Sequence, residues 1–223
     1  MKVIITGATG MVGKGVLLEC LDDPKITEVL TVGRSLLEEE DEKLHQLPHQ
    51  NFLDFGTCRE HLKGFDAAFL CMGVSAAGLS EEKYRELTYD YTLSLARVLL
   101  ELNPHMTLTY VSGQGTDSSE RGRTMWARVK GKTENDLLKL GFKKAFMYRP
   151  GAIIPLRGIK SRTRLYQFIY DYFMWLIKLM KRWTPDSIVN TTQIGQSMIK
   201  VAQEGYEKVI LDPKDIIDTA GSD

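Results

Sequence analysis

The run Thr6-Gly7-Ala8-Thr9-Gly10-Met11-Val12-Gly13 decides how this chain reads. It follows a short apolar stretch, Val3-Ile4-Ile5, and opens a helical pattern over 11–21 that stops at Asp22-Asp23-Pro24. A glycine run between a buried strand and a helix is suited to cradling an anion. Gly7 permits the tight turn, Gly10 lets a pyrophosphate approach without a Cβ in the way, and Gly13 lets the helix pack closely on the strand. Helix amides left unpaired from Met11 and Val12 onward, with Thr9 beside them, favour the negative charge. A tight strand-to-helix turn without a ligand is the competing reading, and the strand alternation downstream argues against it.

Outward from this run, apolar bursts alternate with helical patterns, as expected for a parallel sheet covered on both faces. Strands are expected at 28–32, 52–53, 66–72, 106–111 and 145–148. Residues 36–48 read as a charged loop or weak helix. Helices are expected at 81–102, ended by Asn103-Pro104, and at 124–140, closed by Gly141. Beyond Arg149-Pro150-Gly151 the alternation weakens into helices at 163–183 and 191–204 and a late strand at 208–211. The expected fold class is α/β, a doubly wound parallel-sheet Rossmann fold. Residues 1–223 are expected to make a single domain in which 152–205 forms a small C-terminal helical lobe on the substrate side.

Of the 223 residues, 43% are hydrophobic and 26% charged, enough for a packed core. Lys and Arg together number 29, as do Asp and Glu. Zero net charge gives no electrostatic footprint for nucleic acid and permits a homodimer. Cys20, Cys58 and Cys71 are too few and too scattered for a disulfide framework or a zinc site, so no metal is expected. His45 and His49 have helical ligand spacing, but Pro48 lies between them, which favours a solvated loop. The apolar stretch 173–177 is cut by Asp171 and Lys178 and falls far short of a bilayer span. Only three apolar residues precede Thr6, so no secretory leader is expected. The chain reads as cytoplasmic.

The GxxGxxG spacing resembles the extended and atypical members of the short-chain dehydrogenase/reductase superfamily, over roughly 1–155. Asp90 to Ala96, the VKGKTE run at 129–134 and the YRPG run at 148–151 resemble the atypical branch typified by the Tat-interacting-protein oxidoreductase. Members of that branch are often described as NAD-dependent epimerase/dehydratase-like. The resemblance implies NADPH binding, and several members are regulators without an established substrate.

After the second strand stand Arg34 and Ser35, where an NAD site would place a carboxylate. A guanidinium fork suits a 2′-phosphate, so NADP(H) is favoured over NAD(H). By resemblance, Asp54 with Phe55 falls at the adenine, Cys71-Met72-Gly73 along the ribose and phosphates, and Pro150-Gly151 against the nicotinamide. Cys71 is read as an ordinary buried cysteine rather than a reactive thiol.

The superfamily usually carries a serine and a YxxxK pair. Ser112 and Lys130 match the serine and the lysine, and Trp126 stands where the tyrosine should be. An indole N–H only donates and is far too weak an acid to shuttle a proton. Alternatively, Trp126 simply covers the core. Other proton sources are Tyr84, Tyr89, Tyr91, Thr116, Ser118 and Ser119, or a substrate-bound water. The expected function is an NADP(H)-dependent oxidoreductase or epimerase-like enzyme acting on a small apolar molecule. The competing functions are a non-catalytic NADP(H)-sensing regulator and a structural α/β protein without cofactor. The helix at 163–183 is expected to cover the cleft or pair with another subunit, although Lys178, Lys181 and Arg182 beside Trp175 also fit an interfacial membrane helix. Arg157, Arg162 and Arg164 are expected near the pocket rim.

Overall fold

Each central strand buries both of its faces, because side chains alternate along it and helices cover both sides. In β1 (Lys2–Thr6), Val3 and Ile5 enter one core while Ile4 enters the other. The same division runs through β2 (Glu28–Gly33), β4 (Ala67–Leu70), β5 (Thr107–Val111) and β6 (Lys144–Tyr148). A computed structural model describes residues 1–159 and 187–221. Within it these strands join β3 (Leu44–Pro48) and β9 (Ile210–Leu211) in one parallel sheet of order β3-β2-β1-β4-β5-β6-β9. This is the doubly wound Rossmann arrangement.

One face carries α1 (Met11–Asp22), α5 (Thr191–Glu204) and α6 (Pro213–Ala220), through Val16, Leu17, Ile194, Met198 and Ile216. The other carries α3 (Tyr91–Leu102) and α4 (Met125–Lys139), through Leu93, Leu95, Leu99 and Leu137. The chain leaves β1 toward β2 and β3, then returns to place β4 on the other side of β1. The connections at the carboxyl ends of β1 and β4 therefore diverge, and a crevice opens between them.

Several elements differ from the sequence reading. The third strand is Leu44–Pro48, not 52–53. It pairs only with β2 at the sheet edge and leaves His45 exposed, so it lacks the apolar run that marks a buried strand. Phe52 and Phe55 instead form a ring cluster with His49, whose ring stacks on Phe55 at 4.6 Å. His49 is buried rather than solvated: its Nε2 lies 2.8 and 2.9 Å from the carbonyls of Asn51 and Asp54.

The long helix expected at 81–102 is divided into α2 (Glu81–Arg85), a π turn (Glu86–Asp90) and α3. Residues 191–204, assigned to the substrate-side lobe, form α5 and pack on α1. There the small Gly15 and Gly195 let Thr191 and Glu19 approach. A short parallel pair, β7 (Ala152–Ile154) with β8 (Ile188–Asn190), had no clear sequence signal, whereas the helix α6 is marked by Asp212-Pro213 and Asp215, a cap that the sequence reading passed over. Arg157 is not at a pocket rim, because it pairs with Glu19 and Asp22 of α1. The helix expected at 163–183, with Arg162 and Arg164, lies outside the described residues.

Asn103 stitches the carboxyl end of α3 to the entry of β4. Its Oδ1 accepts from the amides of Gly64 (2.7 Å) and Phe65 (3.1 Å), and its Nδ2 donates to the carbonyls of Leu62 (2.8 Å) and Leu99 (3.2 Å). Replacement strands buried backbone groups, each worth about 1–3 kcal/mol. Asn103→Ala should lower unfolding stability by about 3 kcal/mol in urea titrations, whereas a change at exposed Lys63 should leave it unaltered.

Candidate functional site

Two close approaches of backbone build the cradle between β1 and α1. Gly7 has φ +71°, and a Cβ there would stand 2.5 Å from the carbonyl oxygen of Cys71. A Cβ on Gly13 would stand 2.3 Å from the Gly7 carbonyl oxygen. The turn is closed by Gly10 donating its amide to Gly7 O at 2.8 Å. Gly10 then caps α1 with no side chain to satisfy the first helical amides, and no acidic residue stands in the first turn. Those amides, with the positive end of the helix dipole, face the crevice.

From this cradle a groove runs both ways across the sheet's carboxyl edge. Toward β2 it is a cleft of about 370 Å³ holding Thr9, Arg34, Phe52 and Tyr91. Ser35 lines a small recess beside it, with Gly7 and Thr9. Toward β5 it widens to about 700 Å³ against Val12, Ser112, Trp126, Lys130, Pro150 and Gly151. The two clefts share Gly10, Met11, Cys71, Met72, Gly73 and Val74, so they are one groove. Asp54 and Phe55 do not line it. Asp54 turns its Oδ1 to the Gly56 amide (2.8 Å), and Phe55 is buried in the ring cluster. Phe52 takes the groove wall instead, a position that 52–53 obscured by reading as a strand. Gly13 lies behind the groove and acts through packing alone. Cys71 borders it, but burial pushes its thiol up to about 12, which leaves it an inert thiol at neutral pH.

The β5 end carries the titratable groups. The Lys130 ammonium donates to the Ser112 carbonyl oxygen, and burial pushes its pKa down to about 8 while Glu134 acts in the opposite direction. Ser112 does not offer its hydroxyl to the cleft. That hydroxyl contacts Glu134 Oε1 and lies 3.0 Å from the Tyr148 carbonyl oxygen. The Glu134 side chain has no solvent exposure, and Arg149 Nε holds its two oxygens at 3.0 and 3.2 Å. The Arg149 guanidinium also reaches Ser118 Oγ at 2.5 Å. Glu134 and Arg149 were quoted in the VKGKTE and YRPG runs without a role. The signal was a carboxylate one turn beyond Lys130, on the inward face of α4.

Most other hydroxyls weighed as proton sources are committed. Tyr89 donates to Asp136 (2.7 Å), Tyr91 to Glu86 (3.3 Å), Thr116 to the Gly113 carbonyl (2.7 Å) and Ser119 to Asp117 (2.6 Å). Trp126 does line the cleft beside Lys130, and so does Tyr84. Among the described residues no cluster of three metal-ligating side chains occurs, and no helix is long and apolar enough to cross a membrane.

No protein-family model matches the chain. It is 28% identical over 156 residues to Protein HTATIP2 of Rattus norvegicus, a match covering 69% of this chain and 63% of that protein. It is 24% identical over 220 residues to the mitochondrial protein FMP52 of Candida albicans, covering 95% of this chain and 92% of that one. Among solved structures, a UDP-N-acetylglucosamine 4-epimerase from Methanobrevibacter ruminantium superposes with a TM-score of 0.72 at 14% identity, over 95% of this chain and 75% of that one. A short-chain dehydrogenase/reductase from Saccharomyces cerevisiae gives 0.69 at 14% identity, over 98% and 99%. The fold is that of the short-chain dehydrogenases. In sequence the chain is similar to Protein HTATIP2 and to the fungal FMP52 proteins. Bordetella bronchiseptica WbmF, with a TM-score of 0.70 at 13% identity over 98% of this chain and 76% of that one, was solved with NAD+. The expectation of a cytoplasmic protein is corrected here, because several fungal relatives are named mitochondrial.

Two outcomes follow from the buried charges. Removing one partner of a buried ion pair costs about 3–5 kcal/mol, because the other is left unpaired. Arg149→Met should therefore destabilise by about 3 kcal/mol in denaturant melts, and adding Glu134→Gln should recover part of the loss. For Lys130, folding lowers the pKa, so between about 8 and the ordinary lysine value of 10.5 the unfolded chain binds the extra proton. Stability should then rise with pH across that window. The stability of the wild type relative to Lys130→Met should rise from pH 8 to 10, and a constant difference would contradict the assignment.

Proposed function

We propose that this protein binds NADP(H) along the groove and acts as an oxidoreductase or epimerase-like enzyme on a small apolar substrate. The observation that carries this reading is the cradle itself. Gly7 and Gly13 close the strand-to-helix turn so tightly that no side chain fits, while an added Cβ at Gly10 would meet only the Gly7 carbonyl oxygen, at 3.2 Å. The residues suit a dinucleotide. The amides of Met11 and Val12 would hold the pyrophosphate, with Thr9 beside it. Arg34 and Ser35 would take the 2′-phosphate, Cys71 to Gly73 the ribose edge, and Pro150 and Gly151 the nicotinamide face.

When bound, the nicotinamide supplies the redox chemistry. This chain's part is to position and polarise. Lys130, held by the Ser112 carbonyl, presents a cation in a partly dry cleft, where its pull on a ribose hydroxyl or a substrate oxygen is strengthened. Ser112 is a positioning residue, since its hydroxyl is spent on Glu134. Trp126 supplies an apolar wall and at most one hydrogen bond. The names of the fungal relatives support a mitochondrial setting.

A second reading, a non-catalytic NADP(H) sensor, is favoured by one pair of observations. Trp126 cannot transfer a proton, and the Ser112 hydroxyl faces away from the cleft. NADPH-dependent turnover of any carbonyl by the native protein decides against the sensor.

Cofactor choice is tested at Arg34. Arg34→Asp removes the fork facing a 2′-phosphate and installs a ribose acceptor. NADPH affinity, read by tryptophan fluorescence quenching, should fall by about tenfold or more, with NADH affinity unchanged or improved. Equal loss of both would place the 2′-phosphate elsewhere, and no quenching by either dinucleotide at millimolar levels would end the reading.

A further inference from the structure

The cleft at the β5 end needs a donor for a substrate oxygen, and the side chains that sequence reasoning offers for that task are mostly unavailable. Ser112 is turned to Glu134, while Tyr89, Tyr91, Thr116, Ser118 and Ser119 are bonded elsewhere. Among the described residues, one tyrosine lines the cleft together with Trp126 and Lys130, and that is Tyr84. We propose that Tyr84 donates the hydrogen bond that holds and polarises a carbonyl oxygen of the substrate. This rests on the NADP(H)-dependent reading above and assigns that site one further residue.

Three features of the fold prepare Tyr84 for this. It is 1% exposed, so its ring is fixed by packing. Its helix is short but anchored: Ser80 caps α2 by accepting from the Lys83 amide (3.2 Å), and Glu81 binds Arg128 of α4 at 2.8 Å. The π turn follows directly, at Glu86–Asp90. An extra residue in the turn changes the phase of the helix, so α2 can aim Tyr84 at the cleft while α3 buries Leu93, Leu95 and Leu99. Such π turns gather at functional sites.

A second hydroxyl stands near the phenol. Thr88, one turn on, faces the phenolic oxygen with a hydroxyl that is buried and has no completed hydrogen bond of its own. A donor there leaves the phenol proton for an acceptor in the cleft. Burial raises the phenol's pKa, which keeps that proton in place at neutral pH.

The test uses the full chain labelled with 13C at the tyrosine Cζ, the Tyr84 signal being identified by its loss in Tyr84→Phe. Saturating NADPH should shift that signal, and Tyr84→Phe should bind NADPH within about twofold of wild type. Against a panel of aromatic aldehydes and 1,2-diketones, Tyr84→Phe should lose about 100-fold in kcat with the KM for NADPH unchanged. Tyr89→Phe, outside the cleft, should match wild type. Turnover by Tyr84→Phe at the wild-type rate, or an unmoved Tyr84 signal while NADPH binds, would overturn the proposal and leave the cofactor reading standing. NADPH binding without turnover of any carbonyl by the wild type would overturn it in favour of the sensor. Absence of NADPH binding would remove the cofactor reading and this inference together.

Discussion

The structure depends on how near the start of α1 comes to the sheet. Gly7, Gly13 and the Cys71 carbonyl meet at distances that exclude a single methyl group. That contact sets the height of α1 above β1 and β4, and with it the direction of its amino end. Every other part of the groove is positioned relative to this turn. The narrower cleft lies over β2, and the wider cleft lies between β4, β5 and the loops that follow them. The reversal of strand order at β1 and β4 makes the crevice, and the glycines let a backbone line it.

A second constraint is electrostatic. Burying a carboxylate is costly unless it is paired and hydrogen-bonded. Glu134 meets that condition with Arg149 and Ser112, which ties α4 to the ends of β5 and β6. The same arrangement removes the Ser112 hydroxyl from the cleft and leaves the Lys130 ammonium partly desolvated next to it. Stability and site chemistry are thus coupled. The pair that fastens α4 also determines which groups face the wider cleft.

Much of the fold could be read directly. The central strands are nearly uninterrupted apolar runs because both of their faces are covered, and α1, α3 and α4 carry amphipathic patterns closed by Asp, Asn or Gly. The edge strand β3 was missed because one neighbour and a half-exposed face demand little of its side chains, as Leu44, His45 and Gln46 show. Phe52 and Phe55 look like strand residues, yet their apolar surface is spent on stacking with His49 in a turn. The π turn left no pattern, since one inserted residue displaces the helical period by less than local composition varies.

By itself the sequence determined the alternation of strands and helices, the glycine turn, the basic residue after β2, and the replacement at Trp126. Each of these is local: a backbone angle, a periodicity or a side chain's own chemistry. Only the tertiary structure decided that Asp54 and Phe55 leave the groove, that Ser112 turns to Glu134, and that Tyr84 comes to line the cleft with Lys130. Those outcomes depend on groups from different elements competing for the same hydrogen bonds and the same buried volume, as Ser112 of the β5 end and Glu134 of α4 do. No single stretch of chain encodes the result of that competition.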